Sequence, residues 1–467
     1  MTGFRLFSIT LETKTVITNK INLIENLDNI EDNYFSLIVG NNGTGKSRIL
    51  SKITRFFNDL NLDTHRNFQF NDQLFEYNKL PSKIIAITNS ISDKFPIDQG
   101  FRRSSRATHP TKHKDFIYNY LGTRNTLNSF SNRALMNRAL EIVFENYSEL
   151  DVSRSYRHIF DYLNYEPVIK LNYKFKNIFF KDSQEMTPDF LVDYAYHKMR
   201  PSYYTNDRLI EEIKLRANEI CNFLTQKVLY DNMSENEITI NFSEKNIGRM
   251  KDDNSLYFNN VNEYEIINLL KKMDLIRNVE IQVFKKGGFA FNFRDASSGE
   301  ANILSTLLSL IPLLKDNSLI LIDEPEISLH PQWQVKYIDL LNKILEKVKG
   351  CHVIIASHSP FLASDLKPDN SSVISLKNKK GIIYSNTIDN STYGWSAEDI
   401  LLNVFEMQTT RNNKLYQSIS KALILLSQDD RSYEELRSIQ NTLKEFYDSI
   451  LESDPIKSII KAIINAS

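Results

Sequence analysis

The residues best suited to chemistry are Gly40, Asn41, Asn42, Gly43, Thr44, Gly45, Lys46 and Ser47. Together they meet the pattern G-x-x-x-x-G-K-[ST] at every fixed position. Such a loop turns several backbone N–H groups toward one point, at the positive end of a helix dipole. A polyphosphate fits there, with Lys46 on the β- and γ-phosphates and the Ser47 hydroxyl in the shell of a Mg²⁺ ion. Glycine is scarce, 13 in 467 residues, so chance assembly of this spacing is a poor explanation.

Three further stretches could complete a nucleotide site. Ser318-Leu319-Ile320-Leu321-Ile322-Asp323-Glu324 is an apolar run closed by two acids. At the C-terminal edge of a parallel sheet, Asp323 would hold Mg²⁺ and Glu324 would polarise an attacking water. Ala296-Ser297-Ser298-Gly299-Glu300 opens an apolar helix; serines and a glycine there make either a second anion site or an ordinary cap. Ser357-His358-Ser359-Pro360 follows another strand, where a histidine could reach a γ-phosphate from the side.

These residues need elements to hold them. Phe35–Val39 reads as a buried parallel strand and Arg48–Phe57 as a helix with one apolar face. Phe4–Leu11 and Lys14–Thr18 alternate as a hairpin would, and Lys83–Thr88 reads as a further buried strand. From Ser131 to Met273 the spacing is mostly helical, interrupted by strand-like runs at Val168–Phe175 and Glu237–Phe242. Strand character returns at Val279–Phe284, Phe289–Phe293, Ser318–Ile322 and His352–Ala356. One long helix is expected between Pro331 and Gly350. Val373–Leu376 and Ile382–Tyr384 form a hairpin, and from Ser396 the chain is helical: Ala397–Phe405, Lys414–Leu426, Tyr433–Leu451 and Ile456–Ile464.

Composition sets the class. Apolar residues make up 41% and charged residues 25%, as in ordinary globular proteins. Lys and Arg number 57 against 58 Asp and Glu, which leaves no global basic field for nucleic acid. The two cysteines, Cys221 and Cys351, lack metal-type spacing, the start does not read as a signal peptide, and no run is long enough to span a membrane. A cytoplasmic protein without a membrane partner is the expectation.

In this order the four elements resemble an ABC-type ATPase head of the SMC and RecF kind. Asp323-Glu324-Pro325-Glu326-Ile327-Ser328-Leu329-His330-Pro331 and Ser357-His358-Ser359-Pro360 resemble the OLD-like branch, whose members serve bacterial anti-phage systems such as Septu, PARIS and several retrons. The resemblance covers roughly residues 1–90 and 278–390. It implies an α/β fold: an ABC-type P-loop NTPase head with a mixed central sheet, a helical insertion and a helical C-terminal region. The divisions expected are 1–100 and 278–390 for the two parts of the head, 101–277 for the insertion and 391–467 for the tail.

The same resemblance implies ATP and Mg²⁺ as ligands and at least a dimer, with nucleotide sandwiched head to tail. Gly40–Ser47, Asp323 and Glu324 of one protomer would face Ser297, Ser298 and Gly299 of the other, with His358 sensing the γ-phosphate. Ser328-Leu329-His330 matches the loop that crosses between sites. The signature departs from the Leu-Ser-Gly-Gly-Gln of transporters, and the family's glutamine loop has no match beyond Gln99. No strand-borne Glu and Asp-x-Asp of a TOPRIM nuclease follows, and no His-Asn-His metal site appears, so a separate effector nuclease or toxin is the expected partner. The basic stretch Phe101–Lys114 keeps nucleic-acid contact open, and the competing reading is a RecF- or SMC-like DNA-repair ATPase binding DNA across a head dimer.

Overall fold

Six parallel strands make up one side of a nine-stranded sheet and reach its edge. In spatial order the nine are Glu12–Thr13, Val16–Thr18, Ile382–Thr387, Ser371–Lys379, Tyr34–Gly40, His352–Ser357, Leu319–Asp323, Ile84–Thr88 and Tyr118–Leu121. Pairing is parallel from Ser371–Lys379 through to Tyr118–Leu121. Ile382–Thr387 pairs antiparallel with Ser371–Lys379 and parallel with Val16–Thr18, which pairs antiparallel with Glu12–Thr13, so the sheet is mixed. The structure, a computed structural model, describes residues 3–13, 16–25, 29–62, 74–90, 92–96, 117–122, 131–146, 152–176, 187–199, 206–230, 236–243, 260–388, 391–428 and 432–466.

The sequence explains the sheet's middle. Tyr34–Gly40, Ile84–Thr88, Leu319–Asp323 and His352–Ser357 are buried at every position, as strands covered on both faces must be. The helix Lys46–Leu62 packs on one face, its Ile49, Leu50, Ile53 and Phe57 fully buried with Phe4, Ile38, Ile84, Leu319, Leu321 and Ile354. Each such side chain contributes about 1.5–3 kcal/mol when removed from water.

Non-local pairing changed several expectations. Leu6–Ile9 does not pair with the next strand; it joins Ile21–Asn22 and Phe75–Tyr77 in a separate three-stranded antiparallel sheet. The helix expected from Pro331 to Gly350 is broken into Pro331–Val335 and Tyr337–Ile344 with a 3₁₀ turn at Leu345–Lys347. Asn236–Asn241, Tyr165–Phe175, Ile276–Lys285 and Ala290–Asn292 form one four-stranded antiparallel sheet beside the helices Asn132–Glu145, Ser153–Tyr162, Pro188–Met199, Asn206–Tyr230 and Asn260–Lys272. The strand Ile276–Lys285 runs through the division expected after residue 277, and Tyr118–Leu121 extends the central sheet beyond residue 100.

The chain divides into two units, Met1–Gly394 and Trp395–Ser467. The second carries the helices Ala397–Asn403, Asn413–Leu426, Tyr433–Tyr447 and Pro455–Ile464, with Leu415, Ile419, Leu436, Leu443, Ile460 and Ile463 as its core. At the end of the first of these helices, Val404 is buried while Leu402 is exposed. Both cysteines are buried thiols, and among the described residues no helix is long and apolar enough to cross a membrane. The basic stretch Phe101–Lys114 and Gln99 lie outside the described residues.

Candidate nucleotide site

The parallel register decides what meets at the sheet's C-terminal edge. Asp323 pairs with Ala356 on one side and Thr88 on the other, and Ser357 pairs with Val39. One register therefore ends the acidic strand, the histidine strand and the phosphate-loop strand at the same level. Gly43 and Gly45 hold φ of 82° and 86°, conformations cheap only for glycine, and they turn the loop into the helix that starts at Lys46.

Lys46, Ser47, Asp323, Glu324 and His358 are brought together there. The Lys46 Nζ donates to the Gly40 carbonyl at 2.8 Å and lies 2.7 Å from Nε2 of His358. Ser47 Oγ donates to Asp323 Oδ1 at 3.0 Å. Glu324 takes φ 50°, and its N–H donates to Ala356 O at 2.9 Å, which turns the carboxylate to within 3.8 Å of the His358 ring.

Burial sets the protonation states. The Lys46 ammonium is lowered to about 8 by desolvation, against the pull of Glu324, Glu326 and Asp323. His358 is lowered to about 4, first by burial and then by the charge of Lys46. At neutral pH the imidazole is therefore neutral and accepts from the ammonium. Asp323 is raised to about 7 by burial, with Glu324 and Asp93 adding to the rise and the Ser47 and Lys46 contacts opposing it. A hydroxyl and a carboxylate, both hard oxygen donors, suit Mg²⁺ and leave its remaining positions to phosphate and water.

The signature sits at a different helix start, that of Ser298–Leu310. No hydrogen bond among the described residues joins Ser297, Ser298 or Gly299 to the cluster around Lys46. Ser297 caps the helix Ser298–Leu310 in a capping box: its Oγ receives the Glu300 N–H, and Glu300 Oε2 receives the Ser297 N–H at 3.1 Å. The other Glu300 oxygen is ion-paired with Lys285. Ser297 and Ser298 are exposed. Gly299 is buried, and a Cβ there would sit 2.2 Å from the carbonyl oxygen of Ser328 in the loop after the acidic strand. Gly299→Ala is therefore expected to lower the melting temperature by several degrees, since backbone has to give way; an unchanged thermal unfolding curve would contradict that contact.

Three residues of the neighbourhood were not singled out from sequence. Glu326 Oε1 accepts the His358 backbone N–H at 2.5 Å. Gln334 accepts from Ser359 Oγ at 2.7 Å and donates to Leu329 O at 2.9 Å. Asp93 is held by the Phe95 N–H at 2.9 Å and the Tyr120 hydroxyl at 2.8 Å. The signal available for Asp93 was its place in the loop after the buried strand Ile84–Thr88, which ends beside Asp323.

Residues 189–365 match the family model described as AAA domain, putative AbiEii toxin, Type IV TA system. That stretch holds the signature, the acidic strand and His358. Protein ea59 of Escherichia phage lambda is 29% identical over 178 residues, 35% of this chain and 33% of that protein. Septu protein PtuA of Bacillus thuringiensis is 32% identical over 106 residues, 22% of this chain and 26% of that one. The chain thus spans about a third and a quarter of the lengths of these two relatives. The Retron Vc95 probable ATPase of Vibrio cholerae is 21% identical over 451 residues, 88% of this chain and 82% of that protein. The chain thus joins a phosphate loop and an acidic strand on one parallel sheet, matches the AAA family model over residues 189–365, and is similar in sequence to the Septu and retron proteins.

Proposed function

We propose that the chain is the ATP-hydrolysing subunit of an anti-phage complex, pairing head to tail around ATP and restraining a separate effector nuclease or toxin. The observation that carries this reading is a divided site: Lys46, Ser47, Asp323, Glu324 and His358 converge in one place, while Ser297 and Ser298 stand exposed at a different helix start. A second copy could bring its own Ser297 to the first copy's γ-phosphate. The Septu and retron similarities support the defence setting.

The chain's residues would divide the work as follows. The loop N–H groups and Lys46 hold the β- and γ-phosphates. Ser47 and Asp323 hold Mg²⁺, which when bound neutralises charge on the phosphate oxygens. Glu324 takes a proton from water as that oxygen bonds to the γ-phosphorus and the bond to ADP breaks. Neutral His358 donates a ring N–H to a γ-oxygen. Nothing in this scheme cuts nucleic acid; that step is assigned to the partner.

Ser297→Ala tests the divided site. It is expected to lower turnover about 10-fold or more and to abolish ATP-dependent pairing in light scattering, while leaving ATP affinity of the single head within about threefold. Equal loss of binding and pairing would make Ser297 a helix cap only, worth about 1 kcal/mol. Strong stimulation of hydrolysis by duplex DNA would favour a DNA-repair role instead.

A further inference from the structure

The acidic strand is followed by a second glutamate, and its geometry ties two loops together. Glu326 Oε1 receives the backbone N–H of His358 at 2.5 Å, and the carboxylate is buried. On the far side of His358, Ser359 is anchored through Gln334, which also holds Leu329 of the crossing loop. The histidine is therefore fastened on both flanks by side chains from the segment after the acidic strand. Its ring faces two partners of the site, 2.7 Å from Lys46 Nζ and 3.8 Å from Glu324 Oε1. A shift of the His358 backbone would change both distances at once.

We propose that Glu326 is a positioning residue for ATP hydrolysis, its Oε1 holding the His358 N–H so that the imidazole meets the γ-phosphate at working distance. This rests on the site reading given above. What the role requires is an acceptor oxygen at the right reach. Asp at this position keeps the charge but is one methylene short, whereas Gln keeps the reach and gives up the charge. A displacement of about 1 Å at a reacting group can cost up to about 100-fold in rate. A purely structural brace would instead affect melting temperature, with no split between turnover and binding.

The test compares Glu326→Asp with Glu326→Gln in the full chain, reading kcat and KM for ATP and, separately, ATP affinity by fluorescent-nucleotide competition. Glu326→Asp is expected to lose about 10- to 100-fold in kcat with KM and affinity within about threefold, and Glu326→Gln to stay within about threefold of wild type in kcat. Combined with His358→Ala, Glu326→Asp is expected to cost nothing further, because the group it positions is gone. Glu326→Gln falling as far as Glu326→Asp would assign the effect to charge and overturn the proposal. So would a Glu326→Asp penalty that persists in full without the imidazole. If the wild type hydrolyses no ATP, the site reading falls as well; if it does and only the Glu326 pattern is reversed, the positioning role alone falls.

Discussion

Lys46→Met is expected to abolish measurable ATP binding, weakening it by at least about 100-fold. The ammonium already donates to Gly40 O and faces His358, and a phosphate would replace these partners with charge-assisted bonds. Such bonds contribute about 1.5–3 kcal/mol each, so losing two corresponds to roughly two orders of magnitude or more in affinity. The apo protein should not suffer. Burial lowers the Lys46 pKa from 10.5 to about 8, so the folded state disfavours the charge that the unfolded chain carries. Between those values the unfolded chain binds more protons, and this residue's contribution to stability rises with pH across that window. Lys46→Met should melt no lower than wild type at neutral pH and should lack that alkaline rise. Isothermal titration with ATP and melting curves at pH 7 and pH 9.5 check both halves; retained ATP affinity would remove the phosphate loop from the site.

Glu324→Gln should separate binding from turnover. The amide keeps the length of the side chain and leaves the bond from the residue's N–H to Ala356 O in place, but it cannot accept a proton. Hydrolysis is expected to fall by about 100- to 10,000-fold, the usual loss of a general base. ATP binding should persist, and a nucleotide-dependent pair should accumulate because nothing clears the γ-phosphate. Phosphate release and light scattering in Mg-ATP read the two effects. Wild-type turnover in this variant would send the base assignment elsewhere.

What was legible in the sequence was whatever a short window determines. Gly40–Ser47 and Ser318–Glu324 carry both their pattern and their strand context within a dozen residues, so the strands and the loop could be placed directly. The parallel register then gathers Asp323, His358 and Lys46 without any further signal. The residues missed act across long separations: Glu326 reaches His358, and Gln334 reaches Ser359, through contacts that exist only after the strands align. Glu326 was visible as part of the acidic motif, but nothing local says which backbone N–H its carboxylate meets. The break at Lys336 was hidden for a related reason. Its N–H bonds to the Trp333 and Gln334 carbonyls, and Tyr162 donates its hydroxyl to Trp333 O, so a partner from another helix sits where an unbroken helix would run. Leu6–Ile9 alternated as a hairpin arm should, yet its second partner, Phe75–Tyr77, comes from far along the chain, and periodicity carries no information about that choice.

The left-handed backbone at Glu324 has an evolutionary reading. A side-chain-bearing residue held at φ 50° costs the fold roughly 1–3 kcal/mol, a burden that glycine would lift and asparagine would ease. On the role proposed for Glu324, selection for hydrolysis would act continually against a small folding gain available at the same codon. Lineages freed from that selection would drift toward chains that clasp nucleotide and never consume it, and under the proposed assignment a silent scaffold would lie one mutation away.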